Sequence, residues 1–333
     1  MTLKFNNASL PEMGEKLLSY NSFAITGHRS PDGDCLGSQL GLAWALRSLG
    51  KDADVLLVED APVEQALQFL PGLDQAIPAA EYAKTPECFI SVDISEPTRL
   101  GASLEVMERC PVSFCVDHHA PKARIFDYLY VDYSAASCTM LVWELLKHLR
   151  VDVSKDMALC LYTGLMTDTG RFQYQNADAR AFRAAAEMID AGADVGYAST
   201  KFFQSRTLAS YLIEKDLIDH ISLYGQGEFV LSYLTLDDFE TSGAVKADAE
   251  TAIDVVRSLA GVRIACVLKE HEHFIRGSLR AKDDTNVAEI AALWDGGGHK
   301  AAAGFTLHMS LDEARALVTD TICQRFGFGV TGE

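Results

Sequence analysis

Phe23-Ala24-Ile25-Thr26-Gly27-His28-Arg29-Ser30-Pro31-Asp32-Gly33-Asp34 is the stretch from which the fold follows. Its apolar opening reads as a buried strand, and beyond it Leu36, Leu40 and Ala43 recur at helical spacing. One His and two Asp therefore sit in a loop at the carboxyl end of a strand. In open α/β sheets that edge is where ligands bind, because helix amino ends point into the crevice above it. Two carboxylates crowded into one turn carry uncompensated negative charge, which a divalent cation relieves.

The same pattern recurs along the chain. Residues 53–58, 88–93 and 112–117 read as strands; the second ends in Asp93 and the third in Asp117, followed by His118 and His119. Residues 62–86, with proline at 62, 71, 78 and 86, read as loop and short helix. Strands that alternate with helices and end in acidic residues predict a parallel sheet with a site along one edge. Helical segments are expected at 136–149, 156–166 and 178–191, with Asp168 just past the second. A connector with helical offsets at Leu208, Tyr211, Leu212 and Ile218 covers 193–219. A second unit then shows strands at 229–234, 262–268 and 273–279 and helices at 248–259, 286–294 and 310–324. The expected architecture is α/β: a parallel-sheet domain over 1–192, a helical linker over 193–219, and a smaller α/β domain over 220–333.

Bulk properties bound the function. The chain of 333 residues is long enough for two cores, and no apolar run approaches the roughly 20 residues that span a membrane. The opening Met-Thr-Leu-Lys-Phe-Asn-Asn lacks the apolar segment of a secretory signal. A cytoplasmic protein without membrane contact is expected. Eight cysteines, at 35, 88, 110, 115, 138, 160, 266 and 323, form no CxxC pair; they read as reduced, mostly buried small hydrophobes. A formal net charge of -18 argues against a protein that coats long nucleic acid. A short anionic substrate stays open, since metal ions and a few cationic side chains reverse the field locally.

The chemistry-bearing groups are His28, Asp32, Asp34, Asp93, Asp117, His118, His119 and Asp168. A strand-end Asp is ordinarily a helix cap, and a loop His pair is ordinarily surface decoration. Their coincidence at one sheet edge points to metal instead. Two divalent cations balance Asp32, Asp34, Asp93 and Asp168, and two imidazoles complete the shells; without metal, four such carboxylates cannot all stay ionised at neutral pH. Mixed carboxylate and imidazole donors favour Mn²⁺ over Mg²⁺. Farther on, Gly296, Gly297 and Gly298 let the backbone approach an anion, and a helix beginning just after them would aim amide groups and His299 at a phosphate. Arg280 and Lys300 strengthen that substrate-binding reading. His271-Glu272-His273 is expected at a hairpin tip, solvated and not metal-binding.

These residues also carry a resemblance. The sequence resembles the DHH phosphoesterase family through His28-x-x-x-Asp32-x-Asp34, Asp93, Asp117-His118-His119 and Asp168. Its carboxyl-terminal part resembles the DHHA1 domain through Gly296-Gly297-Gly298-His299-Lys300-Ala301-Ala302-Ala303-Gly304, with Ser278-Leu279-Arg280 upstream. The resemblance implies a first metal on His28, Asp32 and Asp93 and a second on Asp34, Asp93, His118 and Asp168. It further implies that Asp117 orients the His pair, that His119 lies near the scissile phosphate, and that the glycine run, His299 and Arg280 hold the nucleotide. Within the family the chain is similar to the bifunctional oligoribonuclease type, which implies Mn²⁺-dependent hydrolysis of RNA about two to five nucleotides long, and of 3'-phosphoadenosine 5'-phosphate, by water activated between two metals. A cyclic dinucleotide phosphodiesterase of the same family, a silent nucleotide-binding protein and a homodimer are readings left open.

Overall fold

In the computed structural model, which describes residues 5–60, 63–120, 124–249 and 252–329, the chain divides into two units, Met1–Ser205 and Arg206–Glu333. The division falls inside the expected connector. Its two helices, α7 (Val195–Phe203) and α8 (Leu208–Asp219), lie in different units.

The first unit is built on six parallel strands: β1 (Ser22–Thr26), β2 (Asp52–Leu57), β3 (Ile77–Pro78), β4 (Cys88–Val92), β5 (Val112–Asp117) and β6 (Tyr128–Val131). Their order is β3-β2-β1-β4-β5-β6. The chain winds outward in one direction from β1 and in the other from β4, so the topological switch point lies between them. That is the position where open α/β sheets form a crevice. β4 and β5 are buried along their whole length, as strands covered on both faces must be.

One sheet face packs on α1 (Leu10–Leu18), α2 (Gly33–Ser48), α4 (Cys138–Leu149) and α5 (Lys155–Asp168), and α6 (Ala179–Asp190) lies against α5. The other face meets α3 (Ser103–Arg109). Helix α2 is buried on nearly all sides. It lies against α5 through Gly33, Gly37 and Gly41, spaced four apart: a Cβ on Gly37 would strike the carbonyl oxygen of Cys160, and one on Gly41 would come 2.6 Å from Leu161 Cδ2. This contact sets the amino end of α2 beside the carboxyl end of α5. Asp168, expected beyond that helix, is its last residue.

The second unit has a mixed sheet ordered β11-β12-β10-β9-β8-β7, in which only β8 (Phe229–Leu234) and β9 (Ile264–Glu270) run parallel. The others are β7 (Ser222–Tyr224), β10 (Ile275–Ala281), β11 (Gly297–His299) and β12 (Ala302–Leu307). Helices α8, α9 (Leu236–Ser242) and α10 (Ala252–Arg257) serve the core on one face, and α11 (Val287–Ala291) and α12 (Leu311–Phe326) the core on the other.

The glycine run departs from expectation here. It opens no helix; it is the edge strand β11, paired antiparallel with β12. Ala303, Phe305 and Leu307 alternate into the core, and this period of two overrides the helix preference of the alanines. Gly298 has φ +146° and Gly296 has backbone on both sides, so both must lack a side chain, whereas a Cβ on Gly297 would meet nothing within 4 Å. His271-Glu272-His273 does lie at the turn between β9 and β10, with Glu272 and His273 exposed. Among the described residues no helix is long and apolar enough to cross a membrane.

Candidate metal centre

Strand ends and helix ends converge on Asp93, which follows β4 directly. Its φ of +60° is one that non-glycine residues rarely adopt. The turn aims a fully buried carboxylate across the switch point. Oδ2 lies 3.3 Å from His28 Nε2, and Oδ1 lies 3.3 Å from both His118 Nε2 and His119 Nδ1.

His28 and His118 are oriented alike. His28 donates from Nδ1 to the Arg29 carbonyl at 2.9 Å, and His118 donates from Nδ1 to the Ala135 carbonyl at 3.2 Å. Each therefore turns Nε2 toward the carboxylates, the tautomer a metal ligand needs. His119 differs. Asp117 Oδ1 accepts from both its backbone N and its Nδ1, each at 2.9 Å, and the ring stays partly exposed. The expectation that Asp117 orients both histidines is thus corrected to His119 alone, because the His118 ring faces Asp93 and its outer nitrogen reaches a backbone carbonyl instead.

The remaining carboxylates come from helix ends. Asp32 caps α2, its Oδ1 accepting from Cys35 N, while Oδ2 lies 3.8 Å from His28 Nε2; one residue serves both as helix cap and as neighbour to the cluster. Asp34, in the first turn of α2, accepts from the backbone of Cys138 and Thr139 and from the Thr139 hydroxyl. The amino end of α4 thereby clamps it, with Oδ2 3.6 Å from His118 Nε2. Asp168 Oδ2 is 3.9 Å from the same nitrogen, and its helix end already carries partial negative charge. Asn176 donates to the carbonyls of Ala136 and Asp168 and ties the two segments together.

Electrostatics favour a cation. Burial first, and the Asp93 carboxylate second, push Asp34 up to about 7; burial and Asp34 push Asp168 well above the usual range. Burial also pushes Asp93 upward, but the imidazoles of His118, His119 and His28 outweigh it and hold that carboxyl well below the usual range. Asp93 Oδ1 accepts no hydrogen bond although it is buried, a state that ordinarily demands a partner. Oxygen and imidazole donors around an orphaned carboxylate oxygen fit a divalent cation. Two groups, Asp93-His118-His119 and Asp34-His118-Asp168, each bring their ligand atoms within 4.8 Å of one another. A third group is His28-Cys35-Asp93. Cys35 was absent from the sequence-derived candidates; its place next to Asp34 was the only signal, and nothing in the residue type distinguished it from the other buried cysteines.

Three of the substrate candidates of the second unit, Arg280, Gly297 and His299, share one sheet face. Register pairs Arg280 with Ala302 and Ala302 with His299, and Ser278 with Gly304 and Gly304 with Gly297. Directly paired residues point the same way, so Arg280 and His299 flank a small alanine about 10 Å apart. Lys300 lies beyond β11 and pairs with Asp284 at 2.7 Å.

Comparison with known proteins agrees with this division. Residues 22–165 match the DHH family, N-terminal domain, and residues 227–324 match the DHHA1 domain. The chain is 29% identical to the bifunctional oligoribonuclease and PAP phosphatase NrnA of Thermus thermophilus over 90% of its own length and 88% of the relative's. To the protein of the same description from Bacillus subtilis it is 25% identical, over 92% and 96%. Among solved structures, an exopolyphosphatase-related protein from Bacteroides fragilis superposes with a TM-score of 0.88 at 23% identity, covering 97% of this chain and 98% of the other. That likeness concerns the fold.

Proposed function

A DHH domain followed by a DHHA1 domain makes this chain a member of the DHH phosphoesterase family, and from that premise we propose that it is a cytoplasmic Mn²⁺-dependent enzyme that hydrolyses short oligoribonucleotides to mononucleotides and 3'-phosphoadenosine 5'-phosphate to AMP. The observation that carries the metal reading is Asp93, a buried carboxylate whose Oδ2 faces His28 Nε2 and whose unbonded Oδ1 faces His118 Nε2 and His119 Nδ1. The NrnA relatives support the substrate class.

His28, Asp32 and Asp93 would hold one ion, and Asp34, Asp93, His118 and Asp168 the other, with Asp93 shared. Bound there, the ions lower the pKa of water and neutralise charge that develops on phosphorus-bound oxygens. The protein's own groups do the positioning. The Arg29 and Ala135 carbonyls fix the tautomers of His28 and His118, and the α4 amino end fixes the angle of Asp34. Burial pulls the His119 pKa down, but Asp117 and Asp93 outweigh it and raise it to about 11. In this reading Asp117 holds the ring through Nδ1, and the imidazole assists the leaving oxygen. In the second unit, the open face with Arg280, His299 and Gly297 would take the nucleotide; within the glycine run, Gly297 is the position where a Cβ would meet nothing within 4 Å, so packing does not account for its missing side chain.

With Mn²⁺ and labelled RNA, dimers and pentamers are expected to release mononucleotides faster than a strand of two dozen nucleotides. Equal or faster turnover of the long strand would replace this reading with an exonuclease of long single strands. Preferential cleavage of a cyclic dinucleotide under the same conditions would select the cyclic dinucleotide phosphodiesterase.

A further inference from the structure

The sheet of the second unit is covered unevenly. Helices α8, α9 and α10 pack over β8 and β9 and bury Ala265 and Val267. Register pairs these two with Arg280 and Ser278 of β10, so the same face continues across β10, β12 and β11. There it is open: Arg276 and His299 are exposed, and Ser278, Gly304 and Thr306 are half-buried.

Arg276 lies across this open part. Its Nη1 donates to Thr306 Oγ1 at 3.0 Å, and a Cβ on Gly304 would come 3.2 Å from its Nη2. Gly304 pairs with Ser278, two residues along β10 from Arg276. The side chain therefore runs along its strand and rests its guanidinium over the Ser278-Gly304-Gly297 row, next to the row of Arg280, Ala302 and His299. Gly304 has no left-handed φ; its missing side chain leaves the guanidinium its seat. Among the described residues no carboxylate pairs with Arg276, whereas Arg263 has Glu228 and Asp283, and Lys300 has Asp284. In a chain of 47 acidic and 29 basic residues, this arginine is held by a hydroxyl and a glycine, and its charge faces an open surface.

We propose that Arg276 holds a phosphate other than the one being cleaved, so that the enzyme prefers substrates with a terminal phosphate over dinucleotides that end in a 5'-hydroxyl. This rests on the reading of the open face as the nucleotide site. In that reading the metal ions neutralise the scissile phosphate, so a guanidinium on the nucleotide face answers a different anionic group. Its planar fork presents parallel N–H donors to two phosphate oxygens at once. Thr306 occupies one of those donors and fixes the plane.

The test compares a diadenylate carrying a 5'-phosphate with the same diadenylate ending in a 5'-hydroxyl, both with Mn²⁺ and the full-length protein. In wild type, kcat/KM for the phosphorylated form is expected to be about tenfold higher or more, through KM, as a charge-assisted hydrogen bond predicts. In R276Q that ratio should fall toward one because KM for the phosphorylated form rises. R276K should keep part of the preference, since lysine supplies the charge without the fork. A merely structural role would weaken both substrates alike. Equal kcat/KM for the two substrates in wild type overturns the proposal, and so does an equal loss on both in R276Q. If wild type hydrolyses neither diadenylate, the phosphoesterase reading fails, and calorimetry with AMP and adenosine decides about Arg276 alone. Weaker binding of AMP by R276Q than by wild type, with adenosine unaffected, supports the anchor; equal binding of AMP by both proteins overturns it.

Discussion

Asp93 was legible in the sequence as a carboxylate at a strand end, but its backbone was not. No local signal marks a left-handed aspartate, because the strain is imposed by the turn that leaves β4 while its own amide still bonds to Val116. Such strain costs about 1–3 kcal/mol and collects at functional sites. It separates two roles of one residue. Asn tolerates left-handed φ better than Ala does, so D93N is expected to be more stable than D93A by about 1 kcal/mol when both are stripped of metal, as read by denaturant midpoints at equal slope. Both should lose Mn²⁺-dependent hydrolysis alike. Near-normal rates in either variant would remove Asp93 as a shared ligand. The histidines show the same limit of sequence reading: Asp117-His118-His119 announces a cluster, yet which imidazole the aspartate holds depends on the Ala135 carbonyl, 17 residues from His118.

Among elements, the strands that end in ligands were readable because burial on both faces leaves unbroken apolar runs. Shorter or less patterned pieces were not. β6 has only four residues and β3 only two, below the length at which alternation is visible. Helix α1 escaped despite a capping box of Ser9 and Glu12, a signal that was present and unused. Helix α2 was legible from Leu36, Leu40 and Ala43 at helical spacing, but its packing was not. A helix buried all round shows no amphipathic stripe, and three glycines inside it look like helix breakers. They are contact points. Close approach to α5 is what brings Asp34 and Asp168 to one imidazole nitrogen, at 3.6 and 3.9 Å. In G37A the new methyl meets the carbonyl oxygen of Cys160, a backbone atom that cannot rotate away. The expected cost is about 1–3 kcal/mol, as for overpacked cores. Because the spreading helices carry two ligands apart, weaker binding of the second Mn²⁺ equivalent should accompany the loss of stability. Calorimetric titration checks this; a destabilised variant with unchanged metal binding would show that helix spacing does not set the centre.

At the scale of the molecule, the division of labour was legible in outline: motifs of the proposed metal centre all fall before residue 169, and the glycine run falls after residue 295. The boundary was not, because helical periodicity across 193–219 does not reveal that α7 and α8 belong to different units. If metal binds only in the first unit, metal-linked stability must depend on pH through that unit's carboxylates. Asp34 has a pKa of about 7 in the folded chain against an ordinary 3.8, so without metal the folded state binds this proton more tightly than the unfolded state does. Over that window stability falls as pH rises. A bound cation displaces the proton and reverses the penalty, and the His28 and His118 imidazoles, raised to about 9 and about 10, must shed protons too, so the stabilisation conferred by Mn²⁺ should grow from pH 5 through pH 7 and continue to rise above it. The measurement is the difference in melting temperature between Mn²⁺-loaded and chelator-treated protein at several pH values, with free Mn²⁺ fixed because the shift also depends on ligand concentration. Hydrogen exchange should place the added protection at the ends of β1, β4 and β5 and the adjoining turns of α2 and α5. A difference independent of pH, or protection centred on the β10–β12 sheet, would mean that Asp34 does not ligate the ion.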